Sequence, residues 1–219
     1  MNVKIIKLQF TELHMSPRDI PKLRGFFATQ YQEFPEFHNH LPGGKFTYRF
    51  PVIQYRIINS HPALIGVNEG FELIKKILFE TDKLVINNRQ YLLREKVVSV
   101  DDAELGETES PCTYQFHSPW MALNEENFHK YIELNSLKRQ QLLKDILRGN
   151  LKTLAKGFGY WIENFDAIQV EGYFKPLQVN FKNQKMLCFT GEFTTNFQIP
   201  NWLGLGKQSA RGFGVVKRV

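Results

Sequence analysis

GLGKQSARGFGVVKRV, residues 204–219, closes the chain. Gly204, Gly206, Gly212 and Gly214 are interleaved with Lys207, Arg211, Lys217 and Arg218, and no acidic residue interrupts them. Glycine has no Cβ, so a backbone of this kind turns sharply and approaches a neighbour or a ligand closely. N–H groups freed in such a turn can form a nest around phosphate oxygens. The segment lacks the Gly-Lys-Ser/Thr ending of a P-loop. It leads into a short strand, Gly214–Val219, and not into the helix of a dinucleotide fold, which excludes an NAD site. Two readings stay open here: a tight hairpin with a soluble tip, or a grip on a polyanion.

The charge of the whole chain favours the second. Net charge is +6, and it is unevenly spread. Residues 1–110 carry 14 basic and 14 acidic side chains, whereas residues 111–219 carry 14 basic and 8 acidic. The excess sits in the glycine segment and in Lys138–Lys156, where six cations face the single acid Asp145. Clustered positive charge is the footprint of a nucleic-acid binder, since phosphate contact dominates affinity there. Lys138 and Arg139 join Lys207, Arg211 and Lys217 as candidate RNA contacts, with Gly204, Gly206, Gly212 and Gly214 shaping the loop. Cys112 and Cys188 have neither disulfide-framework nor metal-ligand spacing and read as buried thiols in a reducing cytoplasm. No run approaches about 18 apolar residues, and the alternating start MNVKIIKLQF is no signal peptide, so a cytoplasmic protein without membrane contact is expected.

Hydrophobic periodicity supplies the fold. Val3–Phe10 reads as a strand and Ser16-Pro17 starts a helix reaching about Gln32. Lys45–Ile58 and Ala63–Val67 read as strands, Glu69–Glu80 as an amphipathic helix, and Lys83–Val100 as two strands. Asp101–Glu109 is acidic and reads as a solvated linker or hairpin tip between domains 1–100 and 110–219. The second half repeats the order: a strand at Cys112–Phe116, a basic helical region at Glu125–Leu147, then strands at Phe165–Phe174, Leu177–Phe181 and Met186–Phe197. The class is α+β: two tandem ferredoxin-like (RRM-like) domains with antiparallel sheets, in βαββαβ order. A second helix in the second copy has no room between Phe181 and Lys185; the alternative is one long hairpin there. Most of the 19 phenylalanines belong to the core.

Chemistry has one candidate locus. Phe37-His38-Asn39-His40 holds the only close histidine pair; it lacks the further ligands of a zinc site, and no metal or cofactor is expected. Tyr31 precedes this loop and Lys45 follows it. Such a set suits metal-independent RNA cleavage. Imidazole, with a pKa of about 6.5, can take a proton from the ribose 2′-OH or give one to the leaving oxygen. Tyrosine can orient the hydroxyl, and lysine offsets the charge that grows on the phosphate. Ordinary polar loop residues are the alternative.

The terminal GLGKQSARGFGVVKRV, the stretch TYQFHSPWMALN at 113–124 and the histidine loop after the first helix together resemble the CRISPR-associated endoribonucleases that cut repeat-containing transcripts into guide RNAs. The resemblance implies a metal-independent cut that leaves 2′,3′-cyclic phosphate and 5′-OH ends. It puts His40 first and His38 second as general acid or base, with Tyr31 and Lys45 accessory, and gives RNA gripping to the glycine loop. CRISPR repeat RNA is then the partner, with an effector complex and a homodimer as further associations. A non-catalytic RNA-binding subunit of a CRISPR ribonucleoprotein is the alternative the resemblance allows.

Overall fold

A computed structural model describes residues 1–37, 50–86 and 88–219, and these divide into two compact units. The first comprises Asn2–Ala103 with Ala210–Gly212; the second comprises Met1, Glu104–Ser209 and Phe213–Val219.

In the first unit the chain runs β1 (Asn2–Gln9), α1 (Ile20–Gln30), β2 (Ile53–Ile58), β3 (His61–Val67), α2 (Glu69–Glu80), the hairpin β4 (Lys83–Ile86) and β5 (Arg89–Leu92), then β6 (Val97–Glu104). The main sheet has the order β2-β3-β1-β6. Setting the β4–β5 hairpin aside as an insertion leaves βαββαβ, with the fourth strand beside the first and the third between first and second. β2 and β3 are antiparallel and joined at Asn59-Ser60, whose positive φ values of 51° and 66° give the right-handed twist of a two-residue hairpin. The Pro17 start makes only a 3₁₀ turn over Pro17–Asp19, and the helix proper begins at Ile20. Its inner face is aromatic. Phe27 stacks on Phe10, Tyr31 and Phe37 with centroids 6.0–6.2 Å apart, and all four rings are buried.

The second unit repeats the order with β7 (Gly106–Phe116), α3 (Glu125–Glu133), α4 (Ser136–Gly157), β8 (Val170–Phe181), β9 (Gln184–Gln198) and β10 (Val216–Arg218). Its sheet order, β10-β7-β9-β8, is the same arrangement. Several local expectations are corrected here. The acidic stretch 101–109 is not a linker: it lies in β6 and β7, with Asp101, Asp102, Glu104, Glu107 and Glu109 on exposed positions. Residues 83–100 hold parts of three strands, not two. Residues 165–181 do not form two strands, because β8 passes straight through Pro176; as the sheet's edge strand it can carry a residue without an N–H. β8 and β9 form the long hairpin, turning at Lys182-Asn183 (φ 51° and 62°). The slot of the missing second helix is therefore not at 181–185. It falls between β9 and β10, and the glycine segment fills it.

The basic helical region is two helices. Asn135 ends the first pair of turns and restarts the helix by accepting the Lys138 N–H at 3.0 Å. Leu143, Leu147, Leu151 and Leu154, at helical spacing, are fully buried. They face an aromatic core of Phe116, Trp120, Phe174, Phe189 and Phe193. Cys112 and Cys188 are buried free thiols. Among the described residues no helix is long and apolar enough to cross a membrane. Phe174 has no exposed surface and contacts three of these rings. Phe174→Ala should therefore lower the unfolding free energy by about 3–5 kcal/mol, read by urea denaturation.

Candidate functional site

Between β9 and β10 the chain folds onto residues 119–121. Gly214 N–H donates to Pro119 O (2.9 Å), Lys207 N–H to Met121 O (3.1 Å), and Leu205 N–H to Gly214 O (2.9 Å). Phe213 N–H is bonded to Gln208 O at 3.4 Å. The glycines answer to this packing. Gly206, at φ 79°, lies so close to Trp120 that a Cβ would sit 2.7 Å from the indole Nε1 and 2.9 Å from Asn150 Oδ1. Gly214, at φ 62°, would bring a Cβ within 2.1 Å of Leu205 O. The N–H groups of Leu205, Lys207, Phe213 and Gly214 are thus engaged inside the protein. A backbone nest for phosphate cannot be built from those four groups.

The segment's side chains have distinct settings. Lys207 is exposed at the tip. Arg211 is half-buried, and burial pulls its guanidinium below the ordinary range. Lys217 on β10 holds its ammonium 4.7 Å from the centre of the Trp202 ring, a cation–π contact. Trp202 itself sits at φ 70°, unusual for a bulky residue, and is pinned there by its N–H to Val216 O (2.9 Å). His117 meets the same indole edge-on, with centroids 5.1 Å apart. Burial and then the Lys217 charge lower the His117 pKa, favouring the neutral imidazole. The stretch 113–124 contains His117, but nothing in the sequence marked its contact with Trp202, because the two meet only through the β7–β10 pairing.

The basic cluster of α4 is largely committed to internal contacts. Arg139 commits two of its nitrogens inside the protein: its Nε donates to Tyr131 O (2.8 Å) and its Nη2 to Ile132 O (2.9 Å), capping α3, with the guanidinium over the Tyr131 ring. Lys144 pairs with Glu171 at 2.5 Å, and Arg148 lies near Asp145 and Asp166. Lys138 is exposed in the first turn.

His38, His40 and Lys45 lie outside the described residues. Tyr31 is buried at the end of α1, its hydroxyl 2.7 Å from Thr81 Oγ1. Burial, with Glu80, Glu33 and Asp82 adding, pushes its phenol above the usual range against the lowering effect of the Thr81 bond. That setting suits holding the chain more than accepting a proton. Tyr31 stacks on Phe37 (5.3 Å), and Tyr55 donates its hydroxyl to Phe37 O (3.2 Å). The residue immediately before His38 is therefore fixed in the core. Among the described residues no group of three or more His, Cys, Asp or Glu could hold a metal ion.

Comparison with known proteins agrees over the full length. Residues 1–104 match the Cas6b N-terminal domain and residues 106–219 the Cas6b C-terminal domain. A crystal structure of Cas6b superposes with a TM-score of 0.93 at 37% identity, covering all of both chains. A second, of the CRISPR RNA processing endoribonuclease Cas6b, gives 0.79 at 34% identity, again over both whole chains. An uncharacterized protein of Methanocaldococcus jannaschii is 37% identical over 144 residues, 63% of this chain and 97% of its own.

Two consequences follow from the packing. Gly206→Ala should cost about 1–3 kcal/mol, since it combines a positive φ with a clash. Gly149→Ala, in α4 with nothing within 4 Å of the added methyl, should stabilise by about 0.5–1 kcal/mol; thermal unfolding of the two variants reads the contrast. Lys217→Ala should raise the His117 pKa towards its ordinary value, leaving the part due to burial, as followed by NMR titration of the imidazole.

Proposed function

This chain belongs to the Cas6b family, and on that premise we propose how its residues carry out the cut. It is an endoribonuclease that processes CRISPR RNA. The proposed reaction is a metal-independent transesterification within the repeat. One group takes the proton of the ribose 2′-OH and O2′ forms a bond to phosphorus. The P–O5′ bond breaks as a second group delivers a proton to O5′, leaving 2′,3′-cyclic phosphate and 5′-OH ends.

We assign the proton transfers to His40 first and His38 second, with Lys45 offsetting charge on the phosphate. Tyr31 becomes a positioning residue: its ring and those of Phe27 and Tyr55 hold Phe37, one residue before His38. Lys207, Arg211, Lys217 and Lys138 are proposed to contact the RNA, and Gly204, Gly206, Gly212 and Gly214 to shape the loop that carries the first two. Arg139 is not retained in this set, because its donors cap α3. The single observation that carries the enzymatic reading is the whole-length agreement with solved Cas6b structures at 37% and 34% identity. An effector complex and a homodimer are proposed associations; light scattering at twice the 25.7 kDa of one chain would support the latter.

The test is cleavage of the cognate repeat RNA in EDTA. Product should form undiminished, and His40→Ala should slow it by about 10²–10⁴-fold with little change in RNA affinity. A repeat with 2′-deoxyribose just upstream of the cut should bind but resist cleavage. Activity that vanishes in EDTA, or that survives His38→Ala with His40→Ala, would overturn the mechanism.

A further inference from the structure

Strand register sets four side chains of the second sheet side by side. Lys217 on β10 pairs with Gln115 on β7, Gln115 with Glu192 on β9, and Glu192 with Tyr173 on β8. Residues paired across a sheet share a face, so ammonium, amide, carboxylate and phenol make one row across all four strands. Their sequence neighbours Val216, Phe116, Phe193 and Phe174 are buried, and alternation along each strand turns the row to the opposite face. Gln115 and Glu192 are exposed, Tyr173 is 63% exposed, and Lys217 is half-buried. The first unit differs: consecutive residues of β2 and β3 are buried there, so those strands are covered on both faces.

Glycines fix the centre of the row. A Cβ on Gly172 would lie 2.5 Å from Glu192 O, and one on Gly191 2.2 Å from Tyr173 O. Glycine weakens a strand interior and marks a close approach of another backbone. Here each glycine precedes a member of the Tyr173–Glu192 pair, and that approach holds the pair on rigid β-structure.

The chemistry of the row selects its ligand. An exposed phenol ring on a sheet is a stacking surface for an unpaired base. The carboxylate beside it repels phosphate and accepts only from N–H or O–H donors. On their Watson–Crick edges uracil presents one N–H, and cytosine and adenine one amino group each. Guanine presents two parallel donors, N1–H and N2–H, which match the two oxygens of a carboxylate. Gln115, next in the row, has an amide N–H for guanine O6. Lys217 follows, two strands or about 10 Å from Glu192. Lys175, exposed on the same face of β8, adds positive charge for a phosphodiester.

We infer that this row reads one unpaired guanine of the RNA. The base stacks on Tyr173, Glu192 accepts from N1–H and N2–H, Gln115 donates to O6, and Lys217 meets a neighbouring phosphate. That the ligand is RNA rests on the endoribonuclease reading above; the row itself rests on strand register.

The experiment uses the full-length protein with Tyr173→Ala, Tyr173→Phe and Glu192→Gln. One probe is repeat RNA blocked by 2′-deoxyribose at the cut; the other is a single-stranded heptamer of adenosines with one central guanosine. In each, inosine, which lacks the N2 amino group, replaces guanosine, and binding is read by fluorescence anisotropy. The substituted side chains are exposed, so unfolding temperatures should match the wild type. Wild-type protein should bind the guanosine heptamer about tenfold more tightly than the inosine one, and one guanosine of the repeat should show the same preference. Glu192→Gln should weaken binding of the guanosine heptamer about tenfold and abolish the preference. A bystander carboxylate gives the opposite sign, because removing negative charge tightens RNA binding. Tyr173→Ala should weaken both heptamers about tenfold, and Tyr173→Phe should keep wild-type affinity because it keeps the ring. Equal wild-type affinity for the two heptamers, or tighter binding by Glu192→Gln, would overturn the site. A Glu192-dependent guanosine preference in the heptamer, with repeat RNA neither bound nor cut, would keep the site and reject the endoribonuclease reading. Cleavage of the unblocked repeat with no preference at any guanosine would keep that reading and reject the site.

Discussion

Trp120 ties the second unit together. It has no exposed surface, its ring stacks on Phe116 at 5.0 Å, and its backbone exchanges two hydrogen bonds with Phe189 on β9. Its indole N–H would be a buried, unsatisfied donor but for Asn150 Oδ1 on α4, 3.0 Å away. The edge of the same indole lies against Gly206. One side chain thus couples the sheet, the long helix and the glycine segment, and it sets how much room the segment has. The glycines follow from that constraint: they let a backbone lie where a side chain would strike the indole, Asn150 or Leu205.

The RNA contact proposed for the loop is a consequence at one remove. Close packing engages the N–H groups of Leu205, Lys207, Phe213 and Gly214, and the Lys207 side chain stands exposed at the tip. Basic residues elsewhere divide in the same way. Arg139 satisfies the carbonyls at the end of α3, and Lys144 and Arg148 meet carboxylates. A cationic run in the sequence is therefore partly scaffold. Which of its members face solvent depends on where α3 stops, and Asn135 decides that by capping α4.

The βαββαβ order was readable twice because alternating strands and periodic helices keep their patterns locally. The errors share a cause. Pro176 reads as a break, yet an edge strand accepts proline, and edge position is a property of the sheet. The acidic stretch 101–109 reads as a linker, yet a strand with solvent on its carboxylate positions carries such residues without cost. The second helix of the second copy was sought in a hairpin turn because strand count, not sheet order, was the only guide. At the site, Tyr31 was readable as a neighbour of the histidine loop but not as a core residue bonded to Thr81, 50 positions away.

What the sequence by itself determined is the class: two βαββαβ units, a basic second half, and a C-terminal glycine segment resembling that of the guide-RNA endoribonucleases. These depend on periodicity, composition and short spacing, all of which survive without coordinates. Only the tertiary structure decided why the glycines are needed, which cations are tied to internal partners, and that Gly212 packs against Ile20. Those are contacts between residues 30 to 192 positions apart, as Trp120 is from Asn150 and Ile20 from Gly212. Burial and charge act through space, and a linear pattern carries no record of the distances that set them.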